Sequence, residues 1–253
     1  MLYIIQVGHN DASDRYIRNK IRAIQSAGLQ ATVINLDEDC STVDAVLAIA
    51  DCEEKEDCAA IMVQLPLPSH LDTRLILEQI PSHLDIDGLN PYSDYVPLTP
   101  SAIMRWLGEQ KVDLTGQRVA ILGRSELVGK PLANLMIDAG ATVTVMNSKT
   151  GEAYKRNICS RADIIVSAVG KRGVVGFSDV NGYRKQIVID VGINRNDEGK
   201  LCGDVSSVAK EFVENCGGIC TPVPGGVGKW TVREVVLRLK EMEEMNNGAE
   251  TCC

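Results

Sequence analysis

The segment Val119–Pro131 combines a buried strand, a glycine turn and the start of an apolar helix. Val119–Leu122 is apolar enough for a buried strand, Gly123 follows at the bend, and an apolar helix is predicted over residues 128–139. In such a turn the backbone N–H groups and the helix dipole can approach a phosphate closely. The segment therefore predicts a phosphate-binding or dinucleotide-binding turn. A strand–glycine–helix turn without a ligand is the alternative.

The spacing of this turn differs from both common phosphate-binding patterns. A G-x-G-x-x-G turn would need glycine at Ser125. A Walker A loop has one residue fewer between its glycines than the five that separate Gly123 from Gly129, and it has Ser or Thr where Pro131 stands. The generic pattern alone is thus a weak dinucleotide signal.

Several other polar residues have spacings that could serve chemistry. Tyr16 and Lys20 are four residues apart on a predicted helix and share a face. Gln64 closes an apolar strand, the end at which open α/β sheets place ligand groups. Asp85 and Asp87 lie in a predicted turn. Taken singly, each also has an ordinary interpretation, as solvated surface, a strand end or turn chemistry.

Composition and charge limit the classes of protein. The 253 residues are 45% hydrophobic and 24% charged, which is typical of a globular protein. The net charge of -8 argues against nucleic-acid binding. No apolar run approaches the roughly 18 residues of a membrane span, and the apolar first residues lack the basic leader of a secretory signal. The nine cysteines show no paired C-x-x-C pattern, which predicts reduced thiols in a cytoplasmic protein and no metal site.

Strands and helices alternate along the chain, which predicts parallel sheets covered on both faces. In the first half, strands are predicted at 2–7, 31–36 and 59–64, and helices at 14–27, capped by Ser13, at 41–50 and at 73–80. In the second half, strands are predicted at 118–122, 141–146, 163–168 and 186–190, and helices at 128–139, 152–160, 206–213 and 231–245. A helix from the cap Thr99 to about residue 110 precedes a domain boundary near residue 112.

A set of short motifs, in order from Leu2 to about Leu239, resembles the bifunctional methylenetetrahydrofolate dehydrogenase/methenyltetrahydrofolate cyclohydrolase family. Any one motif is weak, but their common order and spacing are very specific. They are Ser13-x-x-Tyr16-Ile-x-x-Lys20, Val63-Gln-Leu-Pro-Leu-Pro68, Asp85-Ile-Asp-Gly88, Thr99-Pro100, Gly123-Arg-Ser-x-x-Val-Gly-Lys-Pro131, Asp190-Val-Gly-Ile-Asn-Arg195, Gly203-Asp-Val205 and Thr221-Pro-Val-Pro-Gly-Gly-Val-Gly228.

The resemblance implies an α/β protein of two three-layer domains with a cleft between them. Residues 1–112, completed by a C-terminal helix over 230–246, would form the folate-binding catalytic domain, and residues 113–229 a Rossmann-type NADP-binding domain. It also implies a homodimer formed through the second domain, with tetrahydrofolate derivatives as the substrates.

The family's pattern also implies roles for individual residues. Lys20 would transfer protons, Gln64 would tune and position it, Tyr16 would stack on the folate ring, and Asp87 would hydrogen-bond the pterin. Further substrate contacts are expected at Val63, Leu65, Pro224, Gly225, Gly226, Val227 and Gly228. Glycines in that last segment would let the backbone approach folate and nicotinamide closely.

Charge in the second half favours NADP as the cofactor. The strand that ends at Met146 is followed by no carboxylate that would suit the ribose hydroxyls of NAD. Arg124 and Ser148 match family positions that bind a 2′-phosphate, and Lys149 adds positive charge. The other expected cofactor-binding residues are Thr99, Gly123, Ser125, Val128, Gly129 and Ile193.

The sequence departs from the family at several positions, among them Asp11 for a usual proline, Leu98 for a usual cysteine and Asn147 for a usual histidine, and two departures matter most. The family has a strand and a helix before the first strand found here, and Lys229-Trp230 replaces its usual Pro-Met beside the expected site. These departures leave two alternatives, a member with only one of the activities (or one that accepts a different pterin) and a non-catalytic folate-binding or nucleotide-binding protein.

Overall fold

A computed structural model describes residues 1–9, 11–183 and 185–250, which divide into two compact units. The first unit is Met1–Leu98 with the segment from Val232 onward, and the second is Thr99–Thr231. This division falls between Leu98 and Thr99, earlier than the boundary expected near residue 112. The reason is that Ile103 and Leu107, on the helix before that boundary, pack with Val119 in the core of the second unit.

The first unit contains a three-stranded parallel sheet in the order β2-β1-β3. Its strands are β1 (Leu2–Val7), β2 (Ala31–Leu36) and β3 (Ala60–Val63), and its first three helices are α1 (Asp11–Ser26), α2 (Thr42–Glu53) and α3 (Thr73–Glu78). Alternate residues of β1 point to opposite faces. Ile5 therefore packs with α2 and α3, and Ile4 packs with α1 and the C-terminal helix. This two-sided cover confirms the parallel α/β prediction.

Side chains that accept backbone N–H groups fix the starts of two of these helices. Ser41 and Asp44 form a reciprocal capping box at α2, and Asp72 accepts the N–H of Leu75 at α3. The prediction that Ser13 caps α1 is wrong, because α1 begins at Asp11 and Ser13 lies within its first turn.

The second unit contains a five-stranded parallel sheet in the order β10-β7-β6-β4-β5. Its elements are α4 (Leu98–Glu109), β4 (Arg118–Leu122), α5 (Gly129–Asp138), β5 (Thr142–Met146), α6 (Glu152–Cys159), β6 (Ile164–Ser167), β7 (Ile187–Asp190), β8 (Asn194–Arg195), β9 (Leu201–Cys202), α7 (Ser207–Asn215) and β10 (Ile219–Cys220). The edge strand β10 and the β8–β9 hairpin were not predicted, since each strand has only two residues and no periodicity.

Two helix starts differ from the sequence-based expectation. Helix α4 begins at Leu98, so Thr99 lies inside its first turn and is not the cap. The last helix, α8 (Val227–Glu250), begins inside the glycine-rich segment, four residues before the predicted start at residue 231. The buried side chain of Val227 packs in the core of the second unit and fixes that first turn. None of the described helices is both long and apolar enough to cross a membrane.

Candidate active site

Lys20 lies at the centre of a polar cluster in the first unit. It projects from α1, is only 3% exposed, and places Nζ 3.3 Å from Gln64 Oε1 and 3.0 Å from Met62 Sδ. The ring of Tyr16, one helical turn earlier, has its centroid 4.8 Å from the same Nζ. Gln64 is oriented by its own amide, which donates to the Leu65 carbonyl at 2.6 Å. The structure thus brings together residues that are far apart in the sequence.

Burial and charge act in opposite directions on Lys20 and Asp87. Burial lowers the pKa of Lys20, and the nearby carboxylate of Asp87 partly opposes that shift. Burial raises the pKa of Asp87, and the positive charges of Lys20 and Arg238 oppose it. Each group is therefore closer to its neutral form than it would be in water. An amine and a carboxyl in this state exchange protons more readily near neutral pH than free side chains do.

The turn that presents Asp87 is held by its neighbour Asp85. The fully buried Asp85 carboxylate accepts the N–H of Gly88 at 3.0 Å and the N–H of Asn90 at 2.8 Å. Gly88 has a φ of 67°, and a Cβ there would lie 2.6 Å from the Tyr95 carbonyl oxygen, so only glycine fits. Asp85 is therefore a structural residue, which leaves Asp87 as the carboxylate beside Lys20.

Arg238 supports the same turn from α8, and sequence reasoning missed it. Its side chain is 6% exposed, donates to the carbonyls of Ile86 at 2.9 Å and Val96 at 2.7 Å, and lies 5.4 Å from the centre of the Tyr95 ring. The sequence predicted a helix over 231–245, but it gave no sign that Arg238 would be buried. Arg238 fixes the backbone on both sides of Asp87 and adds positive charge near its carboxylate.

We expect the Arg238→Met variant to lose about 3 kcal/mol of the free energy of unfolding, because a buried and a partly buried carbonyl both lose a charge-assisted donor. Urea unfolding of the variant measures this loss. Lys240→Met, on the same helix but 67% exposed, is the matched control and should change stability by less than about 0.5 kcal/mol. Equal stability of the two variants would contradict a supporting role for Arg238.

Two residues that were expected to contact the substrate make core contacts in the structure instead. Val63 is 1% exposed and packs in the core between the sheet and α2, so its side chain is not free to touch a substrate. Leu65 packs against the same core and uses its carbonyl to hold Gln64. These residues contribute by placing Gln64 at the end of β3.

In the second unit, the backbone of the predicted glycine turn is closely packed against its neighbours. Gly123 has a φ of 113°, and a Cβ there would lie 2.4 Å from the Ala168 carbonyl oxygen. A Cβ on Gly129 would lie 2.2 Å from the carbonyl oxygen of Gly123. Ser125 Oγ accepts the N–H of Val128 at 3.2 Å and lies 3.5 Å from that of Gly129. The chain therefore turns directly from β4 into α5.

The expected phosphate-binding residues lie at the carboxyl edge of the second sheet. Arg124 follows β4, and Ser148 and Lys149 follow β5; all three are exposed. Ile193, which follows β7, is 68% exposed. Strands β4 and β5 are hydrogen-bonded neighbours, so their carboxyl ends lie side by side. The Ser148 hydroxyl and the positively charged side chains of Arg124 and Lys149 are thus near the N-terminus of α5.

The glycine-rich segment leads into α8 at the end of the second unit. Gly225 has a φ of 110°, and a Cβ on Gly226 would lie 2.6 Å from the Pro222 carbonyl oxygen. Pro224 and Gly228 are exposed, whereas the side chain of Val227 is core and is not available as a side-chain contact. Thr99 Oγ1 is 3.4 Å from Thr231 Oγ1, which places Thr99 beside the first turns of α8.

The unusual pair Lys229-Trp230 is accommodated within the second unit. Trp230 stacks on Trp106 of α4, with ring centroids 4.5 Å apart and an interplanar angle of 14°. Lys229 is exposed, and its Nζ lies 3.9 Å from where a Cβ of Gly225 would be. The partly buried Trp230 therefore packs against the core beside α4. Among the described residues, no group of three His, Cys, Asp or Glu side chains could hold a metal ion.

The parallel sheet, the glycine turn and the polar carboxyl edge define the second unit as a Rossmann-type nucleotide-binding domain. Residues 97–247 match the family model described as the tetrahydrofolate dehydrogenase/cyclohydrolase NAD(P)-binding domain, and residues 1–87 match that of the catalytic domain. The chain belongs to the tetrahydrofolate dehydrogenase/cyclohydrolase family.

Individual relatives agree with this membership. The chain is 41% identical over 241 residues to a bifunctional protein FolD of Streptococcus thermophilus, covering 91% of this chain and 82% of that protein. A FolD crystal structure from Campylobacter jejuni has a TM-score of 0.90 at 34% identity and covers 97% of this chain and 88% of its own. A FolD structure from Trypanosoma brucei, complexed with NADP cofactor and inhibitor, has a TM-score of 0.88 at 32% identity. The match covers 97% of this chain and 86% of the Trypanosoma brucei chain.

Proposed function

We propose that this protein oxidises 5,10-methylenetetrahydrofolate with NADP and hydrolyses the resulting 5,10-methenyltetrahydrofolate to 10-formyltetrahydrofolate, in one-carbon metabolism. The observation that carries the proposal is the buried Lys20 amine, which contacts Gln64 and the ring of Tyr16 and lies near Asp87. Family membership supports both activities, since the relatives are named as bifunctional enzymes. The assignment of roles to single residues is our proposal.

Hydrolysis of the methenyl bridge requires an activated water and the movement of protons. Lys20, with its pKa lowered by burial, has a larger neutral fraction than an exposed lysine and can take the proton of the attacking water. Gln64 holds the amine through Oε1 and so fixes where that proton is received. Asp87 would hydrogen-bond the pterin, and Tyr16 would stack on it. These roles use only side chains of the first unit.

Oxidation of the methylene carbon requires orientation more than a base, because the adjacent nitrogens stabilise the cation that forms. Bound NADP would supply the hydride acceptor. The residues present fit a dinucleotide, since the glycine turn leaves no room for a Cβ at Gly129 and points the N-terminus of α5 at the carboxyl edge of the sheet. Exposed Arg124 and Lys149, with the Ser148 hydroxyl, would hold the 2′-phosphate.

Turnover of methylenetetrahydrofolate, followed by absorbance with NADP and separately with NAD, tests the proposal. We expect methenyl formation with NADP and its subsequent hydrolysis. Arg124→Ala with Lys149→Ala should reduce the preference for NADP over NAD by about tenfold or more, since each charge-assisted contact contributes about 1.5–3 kcal/mol. Lys185→Ala is the control, since it removes an exposed positive charge that precedes β7, at the amino edge of the same sheet. A folded protein that reduces neither cofactor would contradict the dehydrogenase assignment.

The pH dependence of hydrolysis should identify Lys20 as the titrating group. Because Asp87 raises the pKa of Lys20, we expect Asp87→Asn to lower that pKa further. The rising limb of kcat/KM against pH, which reports the base of the free enzyme, should then move to lower pH, in the range below 10.5. Asp94→Asn, an exposed carboxyl of the same loop, should leave the limb in place. A limb that stays or moves upward in Asp87→Asn would exclude Lys20 as the base.

The remaining assignments also belong to this proposal. We place the protein in the cytoplasm because the described cysteines, among them the buried Cys159 and Cys220, are free thiols. The family resemblance favours a homodimer formed through the second unit, which light scattering of the purified protein tests.

Complete loss of one reaction with the other intact would identify a single-activity member, and tight ligand binding without turnover would identify a binding protein.

A further inference from the structure

Apart from Ile193, the residues of two motifs of the second unit, Asp190–Arg195 and Gly203–Val205, have no role in the chemistry described so far. The structure joins them through two buried carboxylates. Asp190 ends β7 and is 4% exposed, and Asp204 is fully buried. Buried carboxylates persist in folded proteins when hydrogen-bond donors surround them, so their partners indicate their purpose.

Asp204 collects donors from two separate loops at the carboxyl edge of the sheet. Its carboxylate accepts the backbone N–H groups of Val169 at 2.9 Å, Gly170 at 3.2 Å and Lys171 at 2.8 Å, all in the loop after β6. It also accepts the hydroxyl of Ser167 at 2.9 Å, and the side-chain amide of Asn194 after β7 at 2.9 Å. One side chain thus fixes the loops that follow two neighbouring strands.

Asp190 holds the segment that carries Asp204. Its carboxylate accepts the N–H of Asp204 at 2.9 Å, that of Val205 at 2.9 Å and that of Gly192 at 3.1 Å. A Cβ on Gly192 would lie 2.0 Å from Asp204 Oδ1, and a Cβ on Gly203 would lie 1.9 Å from Asp190 Oδ2. The two glycines of these motifs are therefore required so that the carboxylates can reach the backbone.

The loop that Asp204 holds is in contact with the glycine turn. Ala168, the residue before Val169, donates its N–H to the Leu122 carbonyl at 2.8 Å. Its own carbonyl oxygen is the atom that leaves no room for a Cβ at Gly123. The loop after β7 carries the exposed side chain of Ile193. A displacement of the loop after β6 would therefore change the surface that the glycine turn presents to a dinucleotide, and a displacement of the loop after β7 would move Ile193.

We propose that Asp204, held in place by Asp190, is a positioning residue for the dinucleotide site, because it ties the loop after β6, which contacts the glycine turn, to the loop after β7. This inference rests on the proposed function only in taking NADP as the dinucleotide. Neither carboxylate acts on the substrate, so the loss of Asp204 should affect cofactor binding and leave the chemistry of the Lys20 cluster unchanged.

The test is calorimetric titration of the apoprotein with NADP, with steady-state kinetics of both reactions, for the Asp204→Asn variant. We expect the Kd for NADP and its KM in the dehydrogenase reaction to rise at least tenfold. We expect methenyl hydrolysis, which needs no NADP, to stay within twofold of the wild type. Asp163→Asn is the matched control, since that carboxylate accepts three donors of Arg118 at the amino edge of the same sheet. It should leave the Kd for NADP unchanged.

Two results would overturn the proposal. One is an unchanged Kd for NADP in a folded Asp204→Asn variant, and the other is an equal rise in Asp163→Asn, which would mean general loosening of the unit. If Asp204→Asn does not fold, Ser167→Ala and Asn194→Ala can replace it, since each removes a single donor to the Asp204 carboxylate. Each should raise the Kd for NADP about two- to threefold. An unchanged Kd in both variants would also overturn the proposal. Wild-type protein that binds no NADP would instead contradict the proposed function.

Discussion

Replacing Lys20 with methionine should reduce methenyl hydrolysis by about 10²–10⁴-fold, the usual contribution of general acid–base catalysis. Methionine keeps most of the length of the side chain but cannot accept a proton. Lys20 is the only amine in the cluster with Gln64, Tyr16 and Asp87 among the described contacts, so no neighbouring amine can replace it. Absorbance decay of methenyltetrahydrofolate measures the effect directly, without NADP.

Lys55→Met is the matched control for this substitution. Lys55 also lies over a tyrosine ring of the first unit, with Nζ 5.8 Å from the centroid of Tyr3, but it is exposed and outside the Lys20 cluster. Its removal should leave hydrolysis within about twofold. If folded Lys20→Met hydrolysed the substrate at a rate within about threefold of the wild type, proton transfer by this residue would be excluded.

The second large effect is expected from Gly129→Ala in the glycine turn. The new Cβ would lie 2.2 Å from the Gly123 carbonyl oxygen and 3.0 Å from the Arg124 Cα, and both of these atoms are backbone. Because no flexible side chain can yield, the turn between β4 and α5 must open. We expect urea unfolding to show a loss of about 3 kcal/mol or more of the free energy of unfolding. We expect titration with NADP to show a fall of at least a hundredfold in NADP affinity.

Gly108→Ala provides the contrast within the same unit. Gly108 lies in α4, and apart from the backbone of its own helix no atom lies within 4 Å of the place that a Cβ would take. Alanine should therefore stabilise the helix by up to about 1 kcal/mol. The two alanine variants should move stability in opposite directions. Normal NADP affinity in Gly129→Ala would refute the close-packed turn as the dinucleotide site.

Local signals in the sequence were enough to predict most of the fold. Strands β1, β2 and β4 have the predicted limits because each is a short, mostly apolar segment bounded by polar or turn residues. Strand β10 has two residues and is defined only by pairing with β7, which no local pattern encodes. Helix α8 begins among glycines that normally interrupt helices, since the core contact of Val227 outweighs their low propensity.

The candidate site was predictable only in part, for a similar reason. Tyr16, Lys20, Gln64 and Asp87 were found through the family motifs, whereas Arg238 reaches the carbonyls of Ile86 and Val96 from a distant part of the chain. Met62 is an ordinary strand residue in the sequence, yet its sulfur lies 3.0 Å from the Lys20 amine. Long-range contacts of this kind depend on packing and leave no periodic trace.

The stacked Trp106–Trp230 pair gives the protein a built-in optical reporter. These are the two tryptophans of the chain, and both belong to the second unit. Emission excited at tryptophan wavelengths therefore arises from that unit alone, whereas four of the six tyrosines, Tyr3, Tyr16, Tyr92 and Tyr95, lie in the first. Tryptophan emission would follow the melting of the second unit, and tyrosine emission would report mainly on the first, within one unlabelled sample. Coincident transitions of the two signals would mean that the halves unfold together.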